Sequence, residues 1–497
     1  MSERRLTYTF GPLERRGILG PLRAGQVATV AAGALAAVVA LDRSPSAGGA
    51  VQAIALLAAA LAGGFAPLGG RTAQVWAPVA ISFMGRRALR RSRFVSGAPL
   101  AGFRGASRPG PRGLNGPAPA PPGTLNGVRI VEVAYRDRPI GALSERTGRR
   151  LTAVLACRVL AFSLLDPEAQ ERRLARWGVV LSTASGSAIR RLQWIERTAP
   201  AQGDELARWL HAERDPAVPL RGTPMIESYL ELIGTTAKVT QEHEILLAVQ
   251  IDGHRVRERG AGAIAAALVQ ETERVARGLE AAEVNVLGAL SAGQLGRTLR
   301  TAFDPYARTE LAGLEAVDPQ REGLAEPAAW PLGAREAWDH YQCDGALHAT
   351  YWIGAWPRVE VSAMFMDALL GHSNAVRSVA VTFEPLPADR STREVEAAIT
   401  RDRADRELRA RFGQSETARQ RQVRDATARR EAELAAGHGE VRLSGFVTVS
   451  GRDGEDLRRA CAEVLDHAAR ARLELHRLYG QQADAFTFTL PLCRGLR

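Results

Sequence analysis

Two uncharged stretches near the N-terminus decide how this chain is built: residues 24–41, AGQVATVAAGALAAVVAL, and residues 50–68, AVQAIALLAAALAGGFAPL. The short polar segment DRSPSAGG, residues 42–49, separates them. A helix needs about 20 apolar residues to cross the hydrocarbon core of a bilayer, with about 17 as the lower limit. Both stretches meet that limit, so the sequence predicts a transmembrane hairpin with helices at about 24–41 and 50–68.

Arginines lie on both outer sides of this hairpin, while the loop holds only Arg43, balanced by Asp42. Because positive charge stays on the cytoplasmic side, this pattern predicts that both ends of the chain are cytoplasmic and that the arginines contact anionic lipid. A pair of buried alanine-rich helices in a soluble domain is the alternative. The flanking residues are Arg15, Arg16 and Arg23 before the hairpin and Arg71, Arg86, Arg87, Arg90 and Arg91 after it.

Composition limits how much of the chain can lie in a membrane. The 497 residues are 46% hydrophobic and 24% charged, and the mean hydropathy is −0.13, which fits a mainly soluble protein of two or three domains. The net charge of +11 comes almost entirely from arginine, with Lys238 as the single lysine. Such a basic chain favours acidic partners. The four cysteines are far apart in the sequence, which predicts reduced thiols in a cytosolic domain.

A stretch dense in proline and glycine, residues 96–127, separates the membrane anchor from the rest of the chain. Strand-like and helix-like segments alternate after it, ending in a predicted helix at about 455–478. Asp166-Pro167-Glu168 and the capping box Ser291-x-x-Gln294 each predict the start of a helix. Strands are predicted at 128–134, 152–159, 188–196, 245–251, 347–353, 377–384 and 441–450. The sequence therefore predicts an α+β fold with split-βαβ, ferredoxin-like halves. The predicted divisions are an anchor at 1–95, the linker at 96–127, a first α/β subdomain at 128–345 and a second at 346–497, which includes a charged helical hairpin at 392–436.

No motif in the sequence predicts an enzyme, a cofactor or a metal site. A phosphate-binding P-loop needs glycines before a lysine, and no glycine frames Lys238 in that way. His340 and His348 lie near acidic residues, but local hydrogen bonding explains such groups better than metal binding. The aromatic cluster Tyr351, Trp352, Trp356 and Pro357 is the most unusual local feature; it predicts either a core plug or an interface anchor.

Two groups of residues carry a family resemblance. The run from Tyr8 to Gly17, Y-x-F-x-P-L-E-R-R-G, followed by a two-helix hairpin, resembles PrgI-type membrane subunits of Gram-positive conjugation machines. The soluble part resembles the non-motor, N-terminal domain of TraC/TrbE-type ATPases of type IV secretion systems. The residues that carry the second resemblance are Thr350, Tyr351, Trp352, Trp356, Pro357 and Arg358, and Tyr479, Gly480, Gln481, Gln482, Ala485, Phe486, Leu490, Pro491 and Leu492.

In those ATPases the motor follows a phrase like Phe486-x-x-x-Leu490-Pro491-Leu492, whereas this sequence ends at Arg497. The resemblance therefore implies a scaffold without ATPase activity, in which Phe486, Leu490, Pro491 and Leu492 join the aromatic cluster as interface candidates. The main hypothesis is a structural subunit of a conjugation or type IV-like secretion apparatus in the bacterial cytoplasmic membrane. It would dock an ATPase encoded in trans, other inner-membrane channel subunits and further copies of itself.

Two alternatives have different partners. A component of a type VII-like secretion complex fits the same anatomy, because that machine includes a subunit with two transmembrane helices and a basic cytosolic domain. A membrane-tethered DNA-binding protein is motivated by the net charge of +11, but no recognition helix supports direct DNA binding.

Overall fold

A computed structural model describes most of the chain: residues 24–65, 67–68, 71–96, 121–146, 148–158, 162–200, 224–225, 227–228, 231, 241–258, 260–308, 311, 323–324, 326–357, 359–371, 373–411, 418–435 and 439–496. The run from Tyr8 to Gly17, Arg15, Arg16, Arg23, Lys238 and most of the predicted linker lie outside these residues. The chain forms two compact units. We call residues 93–396 and 427–497 the sheet unit, and residues 11–92 and 397–426 the hairpin unit.

The hairpin unit confirms the prediction of two apolar N-terminal helices. Its elements are α1 (Ala24–Arg43), α2 (Ala47–Phe65), β1 (Pro67–Leu68), β2 (Arg71–Thr72) and α3 (Ala73–Ala88). Helix α1 runs two residues further than predicted, and α2 begins three residues earlier and ends at Phe65. The second span stops short of Leu68 because Pro67, which has no amide hydrogen, begins a strand.

The sheet unit is built on one antiparallel sheet of 13 strands. Eleven strands lie in the order β3-β10-β11-β12-β14-β13-β7-β8-β6-β5-β4, while β9 pairs with β6 and β15 pairs with β12. The strands are β3 (Arg93–Val95), β4 (Arg129–Val133), β5 (Ile140–Glu145), β6 (Arg150–Arg158), β7 (Ile189–Pro200), β8 (Gln241–Asp252), β9 (Asn285–Ala289), β10 (Gly333–Glu336), β11 (Tyr341–Cys343), β12 (Ala346–Ala355), β13 (Val376–Leu386), β14 (Glu440–Gly451) and β15 (Glu474–Arg477).

Helices connect these strands along the chain. They are α4 (Pro167–Ser185), α5 (Ala261–Ala281), α6 (Ala292–Phe303), α7 (Glu326–Ala329), α8 (Asp367–Leu370), α9 (Ala388–Arg411), α10 (Ala418–Ala435), α11 (Gly454–Arg470) and α12 (Gln482–Phe486). Helix α4 begins as predicted, with the Asp166 side chain accepting from the Ala169 amide at 2.6 Å and Pro167 in the first turn. The predicted capping box of α6 is present, because Ser291 and Gln294 exchange hydrogen bonds.

The sheet confirms the predicted ferredoxin-like halves. The first half runs β6-α4-β7-β8-α5-β9, and its strands lie side by side in the order β9-β6-β8-β7. The second half runs β12-α8-β13-β14-α11-β15 and has the matching order β15-β12-β14-β13. Each is therefore a split-βαβ unit. The two halves join where β7 pairs antiparallel with β13, with Val381 opposite Trp194.

A change of strand partner occurs at the same place in both halves and strengthens the structural match between them. Along one edge of β6 the partner changes from β5 to β9, and along one edge of β12 it changes from β11 to β15. At the gap in the first half the Leu290 amide donates to the Val154 carbonyl at 2.9 Å. At the gap in the second half the Leu478 amide donates to the Thr350 carbonyl at 3.1 Å. The repeat thus extends to single backbone hydrogen bonds.

The two faces of the sheet bury different clusters. Along β8, Leu246 and Ala248 belong to one core cluster while Leu247 and Val249 belong to another, because successive side chains of a strand point to opposite faces. Long helices α4, α5 and α11 pack on one face. Helix α6, helix α12 and the C-terminal residues pack on the other.

Both halves contribute strands to this single sheet, and the predicted subdomain boundary at 345–346 falls at the tight turn between β11 and β12. The predicted helix at 455–478 is wrong in its last turns, because α11 ends at Arg470 and residues 474–477 form β15. Arg472 has a φ of 57°, and the Leu473 amide donates to the Ala468 carbonyl at 2.8 Å. This is a Schellman-type helix end with arginine in the position usually held by glycine.

Candidate functional site

Helices α1 and α2 pack closely through small residues. A Cβ atom at Gly33 would overlap the Cβ atom of Ala60, so glycine is required where the two backbones approach. The Gln26 side-chain amide donates to the Gly64 carbonyl at 3.1 Å and satisfies a polar group between the helices. The turn is closed by Ser46, whose hydroxyl accepts from the Gly49 amide at 3.2 Å.

The outward faces of this pair are apolar. Leu35 is 67% exposed and Ile54 is 68% exposed, which is unfavourable for a protein surrounded by water. Both helices are long and apolar enough to cross a membrane. Helix α3 continues the apolar surface with Ile81 and Met84, which are also exposed.

The described flanking arginines follow this apolar surface along the chain. Arg86 donates to the Ser82 hydroxyl at 2.7 Å and is half-buried, whereas Arg87, Arg90 and Arg91 are exposed. Arg71 lies in β2. Arginines directly after an apolar helix are placed where lipid phosphates would lie if the helix entered a bilayer.

The aromatic cluster predicted from the sequence divides between core and surface. Tyr351 is 4% exposed and belongs to the core beneath α11. Trp352 is half-buried with its ring 6.1 Å from the His476 ring, and Trp356 is half-buried against Gly445. Pro357 is buried. Of these four residues, only Trp352 and Trp356 therefore keep exposed surface with which to contact a partner.

The C-terminal candidates lie in the core on the opposite face of the sheet. Phe486 is 2% exposed, and its ring lies 4.7 Å from His348, 5.2 Å from Phe303 and 5.5 Å from Tyr341. Leu490 and Leu492 are each 1% exposed, and Pro491 is buried. These residues hold the C-terminal segment against the sheet and so have a structural role. Their role as an interface stays a prediction.

We call residues 482–496 the C-terminal strap. It crosses the sheet from β12 to β6 and is held by polar side chains that point out of the strands. At its start, the Gln482 side chain accepts from the Thr350 amide at 2.8 Å and so fills the gap between β11 and β15. Further along, the Gln193 side chain donates to the Phe488 carbonyl and accepts from the Cys493 amide, each at 2.7 Å.

The far end of the strap is fixed by charged groups. The Arg191 guanidinium donates to the Cys493 carbonyl at 3.1 Å and to the Leu496 carbonyl at 2.9 Å. Arg494 pairs with Glu145 on β5. The strap thus ties both halves of the sheet together through side chains of β7 and β5 and through the Thr350 backbone amide of β12.

Sequence reasoning missed a set of buried arginines on the sheet. Arg197 and Arg308 both pair with Glu244, at 3.0 and 2.9 Å, and Arg197 also donates to the Thr298 carbonyl. Burial lowers the pKa of Arg197 to about 10. The sequence did hold a signal for these buried arginines: in β7, residues 190–197 read RRLQWIER and mix arginines with apolar residues. A charged residue on the buried face of a strand needs a partner.

His348 and the four cysteines are buried in the core. His348 is fully buried, with Nδ1 2.8 Å from the Ser450 hydroxyl and Nε2 2.8 Å from the Phe303 carbonyl oxygen. His340 lies 2.8 Å from the Asp339 carboxylate. All four cysteines are buried free thiols. Within the described residues, no group of three or more histidine, cysteine or acidic side chains is arranged to hold a metal ion.

Residues 239–353, from β8 to most of β12, match the family EccE, described as a type VII ESX secretion system translocon. No curated protein matched the chain. The family match favours the type VII alternative over the type IV hypothesis. Together with the two apolar helices, it indicates a membrane-associated component of a secretion system.

Proposed function

We propose that this chain is a membrane-anchored structural subunit of a type VII-like secretion complex. The observation that carries the proposal is the likeness of residues 239–353 to the EccE family, in a chain that also has two apolar helices able to span a bilayer. A structural role agrees with the architecture, since the strap joins strands of both halves into one large sheet. Such a sheet suits the positioning of other subunits.

The orientation of the hairpin is part of this proposal. Arginines follow α3, whereas the turn between α1 and α2 has a balanced charge, so the sheet unit would lie on the cytoplasmic side of the bacterial membrane. The partners on that side would be a motor ATPase encoded in trans, other inner-membrane channel subunits and further copies of this chain. Trp352 and Trp356 are the two residues of the aromatic cluster that keep exposed surface for such contacts.

Co-purification from the native host tests the assignment to a machine. The full-length chain with a C-terminal tag is extracted in a mild detergent, and the proteins that it retains are identified by mass spectrometry. We expect type VII membrane subunits and a hexameric ATPase to be retained. A chain that lacks residues 24–65 is the control and should lose the membrane subunits. Retention of type IV subunits, or of no secretion protein, would contradict the proposal.

Cysteine labelling in intact cells tests the orientation. The native cysteines are buried, so a Ser46→Cys variant places a single accessible thiol in the turn of the hairpin. A membrane-impermeant maleimide should label this variant in intact cells. The matched Ser92→Cys variant, beyond α3, should be labelled only after the cells are permeabilised. The opposite pattern would place the sheet unit outside the cytoplasm.

A further inference from the structure

A polar cavity lies in the sheet unit where the end of the C-terminal strap meets β5 and β6. Its volume is about 270 Å³. Guanidinium groups dominate its wall, and Glu145 is the carboxylate among its lining residues. The arginines that line it are Arg146, Arg150, Arg191 and Arg494.

Positive charge exceeds negative charge around this cavity. Arg150 and the neighbouring Arg190 share one carboxylate, Asp252, at 3.3 and 2.7 Å. Arg191 has Glu384 at 3.3 Å, and Arg494 is paired with Glu145. The nearby carboxylates are therefore already engaged. Burial lowers the pKa of Arg150, and the charges of Arg190 and Arg146 lower it further, as expected where guanidinium groups crowd one another.

One of these arginines is also incompletely satisfied. Arg191 is only 9% exposed, and its Nε atom has no hydrogen-bond partner although its two Nη atoms hold the strap. A buried donor without an acceptor is costly, so an acceptor from a ligand would stabilise this region.

We propose that this cavity binds a compact, multiply charged oxyanion of the phosphate type. Arginine forks match the oxygens of a phosphoryl group, and several such forks around a small volume are better balanced by two or more negative charges than by one carboxylate. The described lining residues include no aromatic ring on which a nucleobase could stack. The site therefore recognises the phosphate itself, as inorganic phosphate, pyrophosphate or the phosphoryl group of a small metabolite. This inference does not depend on the proposed secretion function.

Calorimetric titration of the full-length protein in detergent tests the site. Pyrophosphate and orthophosphate are titrated separately at constant ionic strength, and we expect saturable binding of one anion per chain. An Arg150→Gln variant should weaken binding by at least about tenfold, because one charge-assisted contact is lost. Asp252 keeps Arg190 as its partner in that variant, so the fold should persist. Arg150→Lys keeps the positive charge but not the forked guanidinium, so its affinity for the anion should lie between those of the wild type and Arg150→Gln.

Two further variants separate specific binding from general attraction. Arg146→Gln changes an exposed residue of the wall and should also weaken binding. Arg459→Gln changes an exposed arginine on α11, on the helix-covered face of the second half, and should bind as the wild type does. Absence of saturable binding, or equal losses in Arg150→Gln and Arg459→Gln, would overturn the proposal. So would stronger competition by a hexaglutamate peptide than by pyrophosphate, since the cavity would then be a docking site for protein carboxylates.

Discussion

The His348 side chain shows how a titratable residue can be committed to one protonation state by packing. It is fully buried, it contacts the Phe486 ring, and its two ring nitrogens face the Ser450 hydroxyl and the Phe303 carbonyl. Burial lowers its pKa from 6.5 to about 4, because a charged imidazole cannot be solvated there. The neutral form is therefore built into the folded sheet unit.

This burial predicts a loss of stability in acid. Since the folded pKa is depressed, the unfolded chain binds the proton first as the pH falls. The contribution of neutral His348 to the free energy of unfolding is fully present above about pH 6.5. It is lost between about pH 6.5 and 4, and the loss is at most about 3 kcal/mol. A His348→Gln variant should be less stable at pH 7.5 but should lose less stability between pH 7.5 and 5.

The measurement is the urea midpoint of the full-length protein at the two pH values, followed by tryptophan fluorescence. A His254→Gln variant changes an exposed histidine and serves as the control that should keep the wild-type loss in acid. An unchanged acid loss in His348→Gln would show that other groups cause it.

Single residues were the hardest features to predict from the sequence. The cluster Tyr351, Trp352 and Trp356 stood out by type, and both a core role and an interface role were open. The structure shows that Tyr351 lies in the core while the two tryptophans keep some exposed surface. Tyr351 and Trp352 are neighbours in β12 and so point to opposite faces, while Trp356 follows the end of that strand. An aromatic cluster alone does not reveal the register of a strand.

Among the elements, the C-terminal strap depends on Gln193 more than on any single charge pair. Its amide is fully buried and bridges two points of the strap, the Phe488 carbonyl and the Cys493 amide. A Gln193→Leu variant leaves both groups buried without partners, at a cost of about 1–3 kcal/mol for each. We expect the strap to detach more often and to be cut by a C-terminal protease at a higher rate.

Limited proteolysis followed by intact-mass analysis measures that rate. Gln342→Leu, on the exposed side of β11, is the matched control and should be cut as slowly as the wild type. If Gln193→Leu is as resistant as this control, the strap is held mainly by its apolar side chains.

The helical hairpin offers a paired test of close packing. Gly33 has no room for a Cβ atom because Ala60 occupies that space, whereas a Cβ atom at Gly63 would meet nothing within 4 Å. A Gly33→Val variant should therefore push α1 and α2 apart, and Gly63→Val should leave them in place. Hydrogen exchange in detergent, read by mass spectrometry, should be faster across α1 in the first variant alone. Equal exchange in both variants would mean that the helices are not packed at Gly33.

Element ends were predicted less well than elements themselves. The strands at β6, β8, β12, β13 and β14 lie where β-branched and apolar runs predict them. The end of α11 was missed because its terminating residue is Arg472 in a left-handed conformation, and arginine carries no such signal in a sequence. The short strands β10 and β11 were missed because each has at most four residues.

At the scale of the whole molecule, the pairing of β7 with β13 makes the two halves one structure. The hydrogen-bonded path runs from β3 to β4 through both halves, and the strap crosses the junction. The sheet unit should therefore unfold as one cooperative transition. An Ile195→Ala change in the first half and a Val447→Ala change in the second should lower the midpoint of the same transition. The first should cost about 2–5 kcal/mol and the second less, because valine is one methylene smaller than isoleucine.

Hydrogen exchange in increasing urea measures this coupling, because it reports each strand separately. Strands of both halves should lose protection together in the wild type and in both variants. Leu192→Met, a volume-conserving change opposite Phe383 at the junction, serves as a control that should keep the halves coupled. Loss of protection in one half before the other would show that the β7–β13 pairing is weak.

The predicted fold class followed from alternating patterns, whereas the joining of the halves did not. Two ferredoxin-like units can lie apart or share a sheet, and the choice depends on β7 and β13, whose runs are apolar on alternate residues in either case. Similarly, the two apolar helices of the predicted anchor could be recognised from composition, but the type IV hypothesis rested on short motifs such as Leu490-Pro491-Leu492. Those residues lie in the core, and core residues indicate which fold a chain adopts more reliably than which secretion system it belongs to.

A gene for only one half would encode a protein whose second strand, β7 or β13, is an open edge, and two such proteins would associate there. Covalent fusion of two copies makes that association intramolecular and thus independent of how much protein a cell contains. Fusion also frees the copies to diverge. In this chain the first crossover helix is α4, with 19 residues, in one half and α8, with four residues, in the other.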